Sequence, residues 1–202
     1  MTKIKLCGLS RPCDIEAANE LLPEYIGFVF APKSQRYVSP EQAARLRRLL
    51  HPEITPIGVF VRSDPELVAD LLNQGLIDIA QLHGGEDETY ISRLRALTDR
   101  PILKAFRIDT PQDIAAAENS SADYVLLDSG TGGTGTSFNW DLARTLRRSY
   151  FLAGGLGIHN VADAIRTLTP YAVDVSSGIE TDHIKDKDKM EKFVRAVRSA
   201  IR

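Results

Sequence analysis

Only two cysteines, Cys7 and Cys13, occur in 202 residues. With no second thiol pair and no suitably spaced histidines they cannot complete a zinc site, so no metal is expected, and they fit a reduced, cytoplasmic chain. No apolar run approaches the ~20 residues that a membrane span needs. The opening Met-Thr-Lys-Ile-Lys-Leu-Cys lacks the apolar core and cleavage site of a signal peptide and reads as a first strand. An excess of one charge is also missing. Against 27 Asp and Glu stand 25 Lys and Arg, and the net charge of -2 offers no general attraction to nucleic acid or to an anionic membrane. No linker, low-complexity tract or composition shift divides the chain. GxGxxG is absent after the first apolar run and no P-loop lysine occurs, which argues against dinucleotide binding there and against nucleoside triphosphate chemistry.

What is present is alternation. Short apolar runs predict strands near 3–7, 25–30, 55–61, 77–82, 101–106, 122–128, 150–153 and 172–176. Between them, Ser39-Pro40, Asp64-Pro65 and Thr110-Pro111 each pair an N-cap side chain with a proline at the first helical position, and Gln42 has capping-box spacing from Ser39. Leu67, Val68, Leu71 and Leu72 are expected on one helical face, as are Met190, Phe193, Val194, Val197 and Ile201. Alternating strands and helices imply a parallel sheet. Eight such units close into an α/β fold, a single (β/α)₈ TIM barrel over residues 1–202, whereas open doubly wound sheets commonly have five or six strands.

In a barrel of this kind the active site forms at the carboxyl ends of the strands. Those tips carry Cys7, the segment Phe30 to Arg36, Arg62, Gln81, His83, Arg107, Asp128, Gly154, Gly155 and Ser176 to Gly178. Asp128 ends an apolar run where a glycine loop begins, and that loop, with Gly132 and Gly133, can fold over a small ligand while the acid donates or accepts a proton. An aspartate that merely caps a turn is the plainer reading. Gly154-Gly155 and Ser177-Gly178 follow strands seven and eight, where bare backbone N–H groups often hold a phosphate. Cys7 is either a small buried apolar residue or, with its pKa tuned by nearby positive charge, a base or nucleophile. Cys13 is assigned to packing in the first helix. Arg36 can grip a carboxylate in a two-pronged geometry, against the commoner fate of a solvated charge. Gln81 and His83 are expected to line the substrate site, His83 either titrating near neutrality or orienting its neighbours by hydrogen bonding. Asp174 shares strand parity with Ser176, which points it into the barrel, where a partner has to satisfy it.

Taken together, Lys5-Leu6-Cys7-Gly8, Gly27-Phe28-Val29-Phe30 leading to Arg36, Gln81-Leu82-His83-Gly84, Leu127-Asp128-Ser129 with Gly132-Gly133-Thr134-Gly135, Ala153-Gly154-Gly155-Leu156 and Asp174-Val175-Ser176-Ser177-Gly178-Ile179-Glu180 resemble the phosphoribosylanthranilate isomerases of tryptophan biosynthesis. The resemblance runs from the first strand to Lys185-Asp186. It implies an Amadori rearrangement of a small phosphosugar substrate, with Cys7 as general base, Asp128 as general acid, Arg36 on the anthranilate carboxylate and the glycine turns on phosphate. It implies no cofactor, and a monomer or weak homodimer. Neutral pH demands that both catalytic groups hold protonation states opposed to their solution values, with local dipoles favouring the thiolate. Two other readings stay open. One is a non-catalytic barrel that binds a phosphosugar. The other is a dual-specificity aminoaldose isomerase that also serves histidine biosynthesis, although the sister isomerase of that pathway would put an aspartate where Cys7 stands. The stretch Glu180 to Lys185 departs from the family's Pro and Gly pattern, so a loop of its own shape is expected there.

Overall fold

The computed structural model describes residues 1–128 and 140–200. Eight strands, β1 (Lys3–Cys7), β2 (Tyr25–Val29), β3 (Thr55–Phe60), β4 (Ile79–Leu82), β5 (Ile102–Arg107), β6 (Tyr124–Asp128), β7 (Tyr150–Leu152) and β8 (Ala172–Val175), follow one another around a closed barrel. Every neighbouring pair is parallel, and β1 meets β8 with Lys5 opposite Asp174. A closed sheet has no free edge, and all eight carboxyl ends lie at one rim.

Helices fill the return paths. At α2 (Pro40–Leu49) the cap works as its sequence suggests: Gln42 N–H donates to Ser39 Oγ and Ser39 N–H donates to Gln42 Oε1. In α3 (Pro65–Asn73) Val68, Leu71 and Leu72 are buried against the sheet, but Leu67 is 46% exposed. It sits about 100° round the helix from Val68, on the flank of the apolar stripe. Met190, Phe193, Val194 and Val197 of α8 (Lys187–Ser199) are all buried, and Ile201 lies outside the described residues. Cys13 is in α1 (Pro12–Leu21), but it faces solvent instead of packing. One further element was not anticipated. After β8 a short 3₁₀ turn (Ser177–Ile179) leads into a two-stranded hairpin, β9 (Glu180–Thr181) and β10 (Ile184–Lys185). Its two-residue loop, Asp182-His183, has φ of 51° and 64°, the type I′ pattern that matches strand twist.

The period-two alternation of the strands sorts their side chains into two cores. Outward residues such as Leu6, Phe28, Leu82 and Val173 pack under the helices. Inward ones fill the barrel in layers, beginning with Tyr25, Ile57, Leu103, Leu126, Phe151 and Ala172. Beneath them Lys3 Nζ lies 2.6 Å from Tyr171 Oη and closes the amino-terminal end. Above them the filling turns polar. Lys5, with no exposed surface, donates to Asp174 Oδ2 at 2.8 Å, the partner that strand parity required. Asp174 Oδ1 is buried without a hydrogen bond. Asp174→Asn should leave Lys5 an uncompensated buried charge and lower unfolding free energy by about 3 kcal/mol or more, whereas Lys5→Met with Asp174→Leu should recover most of the loss. Urea unfolding midpoints check both, and an unchanged midpoint in Asp174→Asn would show that the pair is not a structural requirement.

Candidate active site

Lys3, Lys5 and Cys7 alternate along β1 and mark the bottom, middle and top of the barrel interior. Cys7 Sγ is 2.6 Å from where a Cβ on Gly27 would stand, so the neighbouring strand leaves the sulfur its place. Val29, Ala31 and Val59 surround it with apolar surface. Burial pushes the thiol above its ordinary pKa, Lys5 and Lys185 pull it down, and Asp174 pushes it up again; burial is the largest effect and the net direction is up. Nearby positive charge does favour the thiolate, but burial opposes it more strongly. Desolvation of sulfur outweighs cations that are themselves paired with carboxylates.

Gly8, the next residue, has φ of 80°, and a Cβ on it would lie 2.6 Å from Arg36 Cδ. Its missing side chain lets the arginine of the second βα loop lie across the end of β1, beside Cys7. The guanidinium is paired: Nε donates to Glu180 Oε1 and Nη2 to Glu180 Oε2, each at 2.6 Å. Glu180 is 4% exposed and also accepts from Lys185 Nζ at 2.5 Å. Both cations hold its carboxyl below the usual carboxylate range against the opposing effect of burial. The sequence drew attention to Arg36 but not to this partner, because the contact joins residues 144 apart through a hairpin that tertiary structure alone builds.

Asp128 ends β6 at the same rim as Cys7, with β7 and β8 between the two strands on one side of the ring. Its Oδ2 lies 3.2 Å from His83 Nε2, and His83 Nδ1 lies 2.9 Å from Gln81 Nε2. The ring therefore stands between the Gln81 amide and the Asp128 carboxylate. Gln81 is buried inside the barrel and its Oε1 has no partner. The loop that holds Gly132 and Gly133 lies outside the described residues. Arg62 instead donates to Gly84 O, and Arg107 pairs with Asp109.

The turns after β7 and β8 meet. Gly154 and Gly155 have φ of 85° and 63°, and a Cβ on Gly178 would stand 2.1 Å from Leu156 O. Only glycine allows the Ser177–Ile179 turn to touch that backbone, which brings both glycine segments to one place at the rim. Lys185 Nζ secures the second turn by donating to Ser176 O at 2.9 Å.

Residues 4–196 match the family model described as N-(5'-phosphoribosyl)anthranilate (PRA) isomerase. The chain belongs to the phosphoribosylanthranilate isomerase family. It is 42% identical over 203 residues to N-(5'-phosphoribosyl)anthranilate isomerase of Endomicrobium trichonymphae, which covers 98% of this chain and 100% of that one. The crystal structure of phosphoribosyl anthranilate isomerase from Thermotoga maritima superposes with a TM-score of 0.90 at 34% identity, covering 98% of this chain and 100% of that one. A phosphoribosyl anthranilate isomerase in complex with reduced 1-(o-carboxyphenylamino)-1-deoxyribulose 5-phosphate superposes with a TM-score of 0.87 at 33% identity, with the same coverage. Like those family members, the chain is an isomerase built on a (β/α)₈ barrel.

Because burial dominates at Cys7, the two thiols of the free isomerase should label very differently. Iodoacetamide should modify exposed Cys13 first, and the Cys7 rate should still climb about tenfold per pH unit above pH 8, as the thiolate fraction grows. Peptide mapping by mass spectrometry resolves the sites. A Cys7 rate already level near neutral pH would contradict a raised thiol.

Proposed function

We propose that the chain carries out the Amadori rearrangement of N-(5′-phosphoribosyl)anthranilate to 1-(2-carboxyphenylamino)-1-deoxyribulose 5-phosphate in tryptophan biosynthesis, with Asp128 as general acid and Cys7 as general base. The observation that carries this reading is the common rim: a thiol with Arg36 laid beside it, a carboxyl group across the ring, and two glycine turns in contact between them. An acid, a base, a carboxylate grip and a phosphate cradle are the four things this reaction needs.

Asp128 in its acid form gives a proton to the furanose ring oxygen, the C1–O bond breaks, and the anthranilate nitrogen forms a Schiff base with C1. The iminium acidifies the C2 hydrogen. Cys7 in its thiolate form removes it, and the enolamine tautomerises to the ketone. The substrate's own nitrogen takes the electron pair, so the sequence of steps needs no organic cofactor or metal. Lys5 below the sulfur and Lys185 beside it are the cations that favour the thiolate once the substrate displaces water from the rim. His83, 3.2 Å from Asp128 and braced by Gln81, positions the acid. Gly154, Gly155, Ser177 and Gly178 offer backbone N–H groups to the phosphate, and Arg36 binds the ring carboxylate.

Turnover is followed by loss of anthranilate-type fluorescence when phosphoribosylanthranilate is supplied. No change above the spontaneous rate would leave a phosphosugar-binding barrel as the better reading. Cys7→Ala and Asp128→Asn are each expected to lower kcat by at least ~10²-fold, the scale of a lost acid or base; near-normal turnover in either removes that residue from its role. Arg36→Ala is expected mainly to raise KM, since it holds the carboxylate before and during reaction.

A further inference from the structure

Arg36 offers hydrogen-bond donors along two edges, and only one is taken. Its Nε and Nη2 form a two-pronged pair with Glu180, while among the described residues Nη1 carries no hydrogen bond. The outer edge, made of Nη1 and the second hydrogen of Nη2, therefore keeps two roughly parallel N–H groups, which is the match for a second carboxylate. The Arg36 side chain keeps 27% of its surface exposed, whereas Glu180 keeps 4%.

Glu180 is itself difficult to move. Opposite it in the β9–β10 hairpin is Lys185, which donates to Glu180 Oε1 and to both oxygens of Ser176, and Lys189 Nζ donates to the Glu180 backbone carbonyl at 2.6 Å. A ligand carboxylate arriving on the inner edge would have to displace an acceptor that two cations hold; arriving on the outer edge it displaces nothing. Charge agrees with this. Arg36 and Lys185 against Glu180 leave one positive charge, enough for one incoming carboxylate.

We propose that Glu180 is a positioning residue for substrate selection: by occupying the inner edge of Arg36 it locks the guanidinium in the orientation that presents the outer edge to the ring carboxylate of the aminoaldose. The inference rests on the reading of Arg36 as the carboxylate-binding residue. Its consequence is selectivity. Loss of Glu180 should weaken ligands that carry the aryl carboxylate and spare those that do not, a split that general damage to the loop would not produce.

The test compares binding of reduced 1-(o-carboxyphenylamino)-1-deoxyribulose 5-phosphate with its phenylamino counterpart lacking the ring carboxylate, by calorimetry on the intact chain. Glu180→Gln should weaken the carboxylated ligand about tenfold, the scale of a misaligned charge-assisted pair, and the other by less than about twofold. Glu180→Asp keeps a charge beside Lys185 and so guards against misfolding; it should show the same selectivity at about threefold. Equal weakening of both ligands, or no weakening of the carboxylated one, overturns the proposal. Arg36→Ala separates the two levels: if it weakens both ligands equally, the carboxylate reading of Arg36 fails, and if it is selective while both Glu180 variants are not, only the role of Glu180 fails.

Discussion

A single ion pair sits where the barrel closes on itself. Lys5 and Asp174 are register partners across the β1–β8 seam, the one junction that joins the start of the sheet to its end, and their side chains meet inside the barrel. A buried pair of this kind contributes little net stability compared with an apolar filling, but it punishes the loss of either partner and any slip of the seam. A shift of one residue in β1 would turn Lys5 and Cys7 out toward the helices, and a shift in β8 would do the same to Asp174 and Ser176, since each pair lies two residues apart on one inward face. The pair therefore fixes the register of the two strands whose tips carry the thiol and the second glycine turn.

Above that layer, charge is arranged in paired units around an apolar pocket for sulfur. Lys5 has Asp174; Arg36 and Lys185 share Glu180. Lys5 and Lys185 pull the Cys7 thiol down, yet each is partly cancelled by its own carboxylate, and burial pushes the thiol up. A ready thiolate would be a liability to alkylation and oxidation in the absence of substrate.

The opposite side of the rim uses a different device. Asp128 is met by His83, which in turn touches the amide of Gln81 inside the barrel. One group is thus held by packing against glycine and aliphatic surface, the other by a chain of polar contacts rooted in the sheet. Both are carried by strand ends, and among the described residues the loops add Arg36, Glu180 and the two glycine turns.

Much of this was written in residue order alone. Alternating apolar runs and proline-marked helix starts specify eight βα units because periodicity and capping are local properties, and a parallel sheet then places Cys7, His83 and Asp128 at one rim by geometry. Strand parity even pointed Asp174 inward. What the sequence by itself could not determine were quantities set by contact between distant segments: that Lys5 would be its partner, that Cys13 and Leu67 would face solvent, that Gly178 would press on the Leu156 carbonyl, that a hairpin would carry Glu180 to Arg36, and that burial would outweigh nearby cations at the sulfur. Desolvation and side-chain pairing are properties of the closed barrel, and no window of neighbouring residues contains them.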